Sequence, residues 1–164
     1  MMLKAIDVAK YFLSKDPDKL LFNKKIVIYN GRKFYEGNAR LNKYLFLTQV
    51  VYMAKYGRKL FDDNFLAYDN GPVVDEVRTN FAKLVNDDYH AKLSETDKNF
   101  LDKIYYSLEN ASCEELIEIS HEDPEWQRLS SQTYNAPIMN LDKNIEEYKE
   151  RYDGIIKALR IWTI

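Results

Sequence analysis

The stretch Asn38-Ala39-Arg40-Leu41-Asn42-Lys43-Tyr44-Leu45-Phe46-Leu47-Thr48-Gln49-Val50-Val51-Tyr52-Met53-Ala54-Lys55-Tyr56-Gly57 sets the architecture of the chain. Asn38 is a suitable helix cap and Gly57 a suitable helix end, so the spacing predicts a helix from about 38 to 56. Leu41, Leu45, Phe46, Val50, Tyr52, Met53 and Ala54 cover more than one face of it. A helix apolar over that much of its circumference is expected at the centre of a bundle, contacted from several sides. Its apolar run, Tyr44 to Ala54, is interrupted by Thr48 and Gln49 and is about half of what a bilayer requires, so a buried helix is expected and no membrane span.

Upstream, Leu3, Ile6, Val8, Ala9, Phe12 and Leu13 recur at helical spacing until Lys15-Asp16-Pro17-Asp18 supplies turn chemistry. Between the two helices, β-branched residues precede Asn30-Gly31, the favoured type I′ pair. A small β-hairpin is expected at about 24–36, the alternative being an irregular loop. Downstream, Gly71-Pro72 reads as a helix-start device. Proline lacks an N–H that the first helical turn would leave unpaired, and Val73, Val77, Phe81 and Leu84 follow at helical spacing to about Asn86. Ser94-x-x-Asp97 and Ser112-x-x-Glu115 announce two more helices, and Asp123-Pro124 another turn carrying Trp126. A last helix is expected from about 141 to 161, on the stripe Leu141, Ile145, Tyr148, Tyr152, Ile155, Leu159 and Trp162. The fold class is therefore mainly α, a multi-helix bundle around the central helix with one small hairpin, and one domain over 1–164.

Composition narrows the chemistry. The 164 residues are 46% hydrophobic, enough for one substantial core. Thirteen tyrosines each carry a polar tip that needs a partner or water. The 24 basic and 26 acidic side chains are interspersed, with a net charge of −2, which gives no electrostatic footprint for nucleic acid. The lone Cys113 can form no internal disulfide and the first residues lack a secretory apolar core, so a cytoplasmic protein without a signal peptide is expected.

No constellation points to catalysis. His90 and His121 are the only histidine bases, and Cys113 lies eight residues before His121, about 12 Å along a continuous helix. His121 with Glu122 and Asp123 could form a weak divalent site, against the commoner reading of a histidine beside a helix start. Asp62-Asp63 and Asp87-Asp88 lack calcium-loop spacing, and the five glycines form no phosphate-binding run. No enzyme, metal or cofactor is expected.

Four segments together carry a family likeness: Ala5 to Leu13; Leu41-Asn42-Lys43-Tyr44-Leu45-Phe46 through Gly57-x-x-Leu60-Phe61; Ala67-x-x-x-Gly71-Pro72-Val73-Val74; and Ser120-His121-Glu122-Asp123-Pro124-Glu125-Trp126. Over roughly residues 3–128 the chain resembles the Panacea, or SocA-like antitoxin, domain. The resemblance implies a mostly helical domain that neutralises a cognate protein toxin by direct contact, in bacterial or phage toxin–antitoxin pairs. Alternatives within its reach are a proteolytic adaptor, a prophage-encoded regulator and a DNA-binding autorepressor. Relatives generally carry a Lys-Leu-Gln-Lys-Leu-Leu-Tyr type central helix where this chain has Arg40 to Phe46, and the segment from Phe22 to Gly37 looks like an expansion. Gly71, Pro72, Val73, His121, Pro124 and Trp126 are the family-motif positions and are expected to be architectural, with His121 and Trp126 pinning the late helices to the central one. The hairpin tip Asn30, Gly31, Arg32 and Lys33 is the candidate partner-binding segment.

Overall fold

The computed structural model describes residues 2–87, 92–130 and 136–154. Helix α1 (Ala5–Ser14) leads to an antiparallel hairpin of β1 (Ile26–Tyr29) and β2 (Arg32–Tyr35), which runs straight into α2 (Glu36–Tyr56). A second hairpin, β3 (Leu66–Tyr68) and β4 (Gly71–Val73), precedes α3 (Asp75–Leu84), α4 (Glu95–Leu108), α5 (Cys113–His121) and α6 (Pro124–Leu129). A 3₁₀ turn, Leu141–Asn144, then opens α7 (Ile145–Arg151). The fold is mainly α, as the sequence predicts, with α1, α3, α4, α5 and α7 all packed on α2 or on its immediate neighbours.

Every residue of α2 from Arg40 to Ala54 is buried. That includes five polar or charged ones, Arg40, Asn42, Lys43, Thr48 and Gln49, and each has a partner, Arg40 donating to Ala111 O at 2.6 Å. Thr48 donates to its own helix at Tyr44 O, 2.6 Å away. The other three reach out to the irregular chain between α2 and α3. The Gln49 amide accepts from the Leu60 and Phe61 N–H groups at 3.0 and 3.3 Å and donates to Phe61 O at 2.6 Å. Asn42 Oδ1 accepts from Val74 N at 3.0 Å, and Lys43 Nζ donates to Pro72 O at 2.9 Å. Non-helical backbone pressed on a core helix has no water to pair with, and these side chains supply what a regular ladder otherwise would.

Asn38 is not the cap of α2, contrary to the sequence reading. The helix starts at Glu36 because β2 delivers its first N–H groups to waiting acceptors: Glu36 N to Lys25 O at 2.8 Å and Gly37 N to Asn23 O at 3.1 Å. Asn38 instead donates to Arg78 O and accepts from Asn42. Gly37 must be glycine here, since a Cβ would fall 2.3 Å from the Asn23 backbone. At the other end Gly57 is left-handed (φ 72°) and its N–H bonds Met53 O, as expected.

The first hairpin has the predicted turn. Asn30 and Gly31 both have positive φ, 51° and 76°, and Tyr29 pairs with Arg32 across them. The Gly71-Pro72 reading is corrected. Pro72 does not begin a helix; it sits in the short strand β4, facing Ala67, and α3 begins at Asp75. Proline's fixed φ and missing N–H suit an outer strand as well as a first helical turn, so the dipeptide alone could not separate them. A third segment lies along β3, with Ala67 N bonded to Pro137 O and Met139 N to Phe65 O.

The capping signals at Ser94, Ser112 and Asp123 all start helices. The final helix differs from the single run expected from 141: it opens as a 3₁₀ turn, its buried Leu141, Tyr148 and Tyr152 belong to the predicted stripe, and Ile155, Leu159 and Trp162 lie outside the described residues. Several tyrosines tie separate elements together through their hydroxyls, Tyr11 to Asp102 at 2.6 Å, Tyr68 to Asp75 at 3.0 Å and Tyr148 to Asp123 at 2.7 Å. No helix among the described residues is long and apolar enough to cross a membrane.

Candidate functional site

The β3–β4 hairpin is the point on which the motif residues converge. Gly71 (φ 116°) is buried between α2 and α5, so close that a Cβ would lie 2.5 Å from Ser120 Oγ and 2.8 Å from Lys43 Cε. Lys43 passes beside it to reach Pro72 O. Ser120 is held in turn by Ile117 O at 2.7 Å. On the other side of the turn, the rings of His121 and Trp126 stack at 4.1 Å and within 5° of parallel, and Trp126 Nε1 donates to Tyr68 O at 2.8 Å.

Asp123 makes that arrangement possible. Fully buried, it caps α6 by accepting from Trp126 N at 3.0 Å and also accepts from the Tyr148 hydroxyl of α7. Pro124 occupies the first turn of α6, where its missing N–H costs nothing. Glu125, also buried, accepts from Asn140 N at 2.7 Å and pairs with Arg128. His121 and Trp126 therefore fasten the late helices to the second hairpin, and α5 also packs on α2.

The electrostatics follow from burial. Lys43, 2% exposed with a carbonyl for its only hydrogen-bond acceptor among the described residues, is pushed down from 10.5 to about 7 by desolvation. Burial and the neighbouring Lys43 hold the His121 imidazole below its usual value, and burial raises the Cys113 thiol. Cys113 and His121 stand at opposite ends of one unbroken helix. Among the described residues, no group of three or more His, Cys, Asp or Glu gathers as a metal site, and His90 lies outside them.

Lys43 gives the folded state a signature in pH. Unfolded, it keeps its proton to about 10.5, whereas folded it releases it near 7. Between those values the unfolded chain binds more protons, so stability rises with pH, by between about 1 and 2 kcal/mol per unit at most. Thermal melts at pH 7, 8 and 9 should show this rise in the wild type relative to Lys43→Met, which has no ammonium to desolvate. Parallel profiles for the two chains would mean that the ammonium stays protonated in the fold.

The candidate partner segment lies beside this cluster. Arg32 at the first hairpin's tip pairs with Asp69 in the second hairpin's turn at 2.7 Å, and Asn70 Nδ2 donates to Tyr29 O at 3.3 Å. Both charged side chains are exposed, so the pair contributes little stability, but it aligns the two tips. The motif positions and the segment Asn30 to Lys33 thus occupy adjoining turns. The sequence does not mark Lys43, Asn42, Gln49 or Ser120 as site residues, and it offers Asp123 only as a weak divalent ligand beside His121 and Glu122. The one signal available for the first three was polarity in the middle of an otherwise apolar helix.

This is a mainly α domain in which a buried central helix and a His–Trp stack lock a short β-hairpin. A family model described as "Antitoxin SocA-like, Panacea domain" matches residues 41–127, more than half of the chain, and the chain belongs to that family. No curated protein and no solved structure matches it. The matched range starts in α2 and ends in α6; it holds the whole lock from Asn42 to Trp126 and leaves out α1 and the β1–β2 hairpin.

Proposed function

We propose that this chain neutralises a cognate protein toxin in the cytoplasm by direct binding, without catalysis, and that the β1–β2 hairpin forms part of the contact. The observation that carries the reading is the outer face of that hairpin in a member of an antitoxin family. Ile26 and Ile28, two positions apart on β1, are 65% and 66% exposed, and Lys33 and Tyr35 stand opposite them across the pair. β1 pairs with β2 on one side only among the described strands, leaving an outer edge open to a further strand. Exposed isoleucines on an edge strand are a hazard that a partner's surface would relieve. Placing variable contacts outside the family's matched region lets one scaffold serve different partners.

Co-expression with the product of the neighbouring reading frame tests this. The wild type should restore growth, while Ile26→Asp/Ile28→Asp should fail to, with affinity for the purified toxin lower by on the order of 100-fold and an unchanged melt. A neighbour that is harmless by itself, or that stays toxic beside the wild type, would overturn the antitoxin reading. Full rescue by the double variant would remove the hairpin from the contact.

A further inference from the structure

The two hairpins enclose a cleft of about 440 Å³, floored by Asn42 and Lys43 of α2 and walled by Arg32 and Lys33 on one side and Asn70 and Arg78 on the other. Among the described residues, three exposed basic side chains, Arg32, Lys33 and Arg78, line it above the buried Lys43, against one carboxylate, Asp69, in a chain whose net charge is −2. Two of the cations are already positioned. Arg78 is held by Asp75 at 2.8 and 3.1 Å and lies 5.0 Å over the Tyr68 ring, while Arg32 is held by Asp69. A guanidinium has five N–H donors, so these contacts leave further donors on each. Lys33 has no carboxylate partner among the described residues.

The cleft also holds an acceptor without a donor. Asn70 Nδ2 donates to Tyr29 O, which fixes the amide's orientation, and its Oδ1 is buried with no hydrogen-bond partner among the described residues. A bare anion would satisfy the cations and leave this oxygen unpaired. An extended peptide with Asp or Glu side chains supplies carboxylates for the cations and backbone N–H groups for Asn70. The geometry points to the cleft between the two hairpins as the receptor for an acidic peptide segment of the bound protein, entering beside the hairpin face. This deepens the toxin-binding reading and rests on it for the source of the segment.

The test needs no toxin, so its outcome is separate from that of co-expression. The ¹⁵N-labelled full chain is titrated with a terminally blocked peptide of alternating Ala and Glu, and with its Ala/Lys and Ala/Gln counterparts. Saturable shifts at Arg32, Lys33, Asn70 and Arg78 are expected with the Glu peptide alone. They should weaken about tenfold in Lys33→Glu, whose substituted position is exposed and whose melt serves as the control for folding, and again between 0.05 and 0.5 M NaCl. Equal shifts with the Gln or Lys peptide would overturn the proposal. So would inorganic phosphate that competes as well as the peptide, or a single-stranded oligonucleotide that binds the same residues more tightly. Loss of the peptide site with toxin neutralisation intact would leave the antitoxin reading standing and remove the cleft from it.

Discussion

Gly71→Ala is expected to lower stability by about 3 kcal/mol or more, a fall of roughly 6 to 12 °C in melting temperature for a chain of this size. Two costs combine. The new methyl would stand 2.5 Å from Ser120 Oγ and 2.8 Å from Lys43 Cε, and the backbone at φ 116° is outside the range that an L-residue adopts readily. Neither neighbour can yield freely, because Ser120 is bonded to Ile117 O and Lys43 to Pro72 O. Gly57→Ala separates the two costs. Gly57 also has positive φ, but nothing lies within 4 Å of the added carbon, so only the backbone penalty of about 1 kcal/mol applies. Equal losses for the two variants in urea or thermal melts would show that the crowding around Gly71 carries no weight.

Asp123→Ala should cost a similar amount by another route. The substitution removes the cap of α6, about 1 kcal/mol, and strands the buried Tyr148 hydroxyl, another 1–3 kcal/mol or so. Tyr148→Phe in the same chain removes the stranded donor, so the double variant should be more stable than the sum of the single losses implies, by about 1 kcal/mol. Asp123→Asn, which still offers an acceptor, should lose less. Simple additivity in the double-mutant cycle would mean that Asp123 acts through the cap alone. The same residue holds Trp126 N and thereby the ring that bonds Tyr68 O, so tryptophan fluorescence should shift with the loss.

Sequence reading recovered the features that short-range chemistry determines. Asn30-Gly31 requires two positive φ angles and has them; Ser112-x-x-Glu115 pairs its own backbone and side chains; Gly57 ends a helix because a left-handed residue must. Pro72 failed because two environments tolerate a missing N–H, and the choice was made by Ala67 across the strand. Asn38 failed because the backbone of Asn23 and Lys25, far enough away to be invisible to a local pattern, had already served the helix start. The site was legible only in part. Gly71, His121 and Trp126 form a set legible in the sequence, but their meeting point depends on Asn42 and Lys43, which in a linear pattern look like flaws in an apolar helix. Their value lies in carbonyl and amide groups of a connector whose path only the folded chain reveals. The Arg32–Asp69 contact joins residues 37 positions apart and follows from where the two turns land.

The first hairpin leaves the core at Asn23 and returns at Gly37, and those two residues are hydrogen-bonded to each other at 3.1 Å. Its stem is closed by the core itself, so the span between behaves as a cartridge with a fixed socket. Lengthening, shortening or rewriting it changes a loop-closure cost that grows only with the logarithm of its length, while α2 keeps its position over the lock. On the proposed reading of that hairpin as a partner contact, such a chain can drift toward a new target by exchanging one short ribbon, and its stability need not register the change.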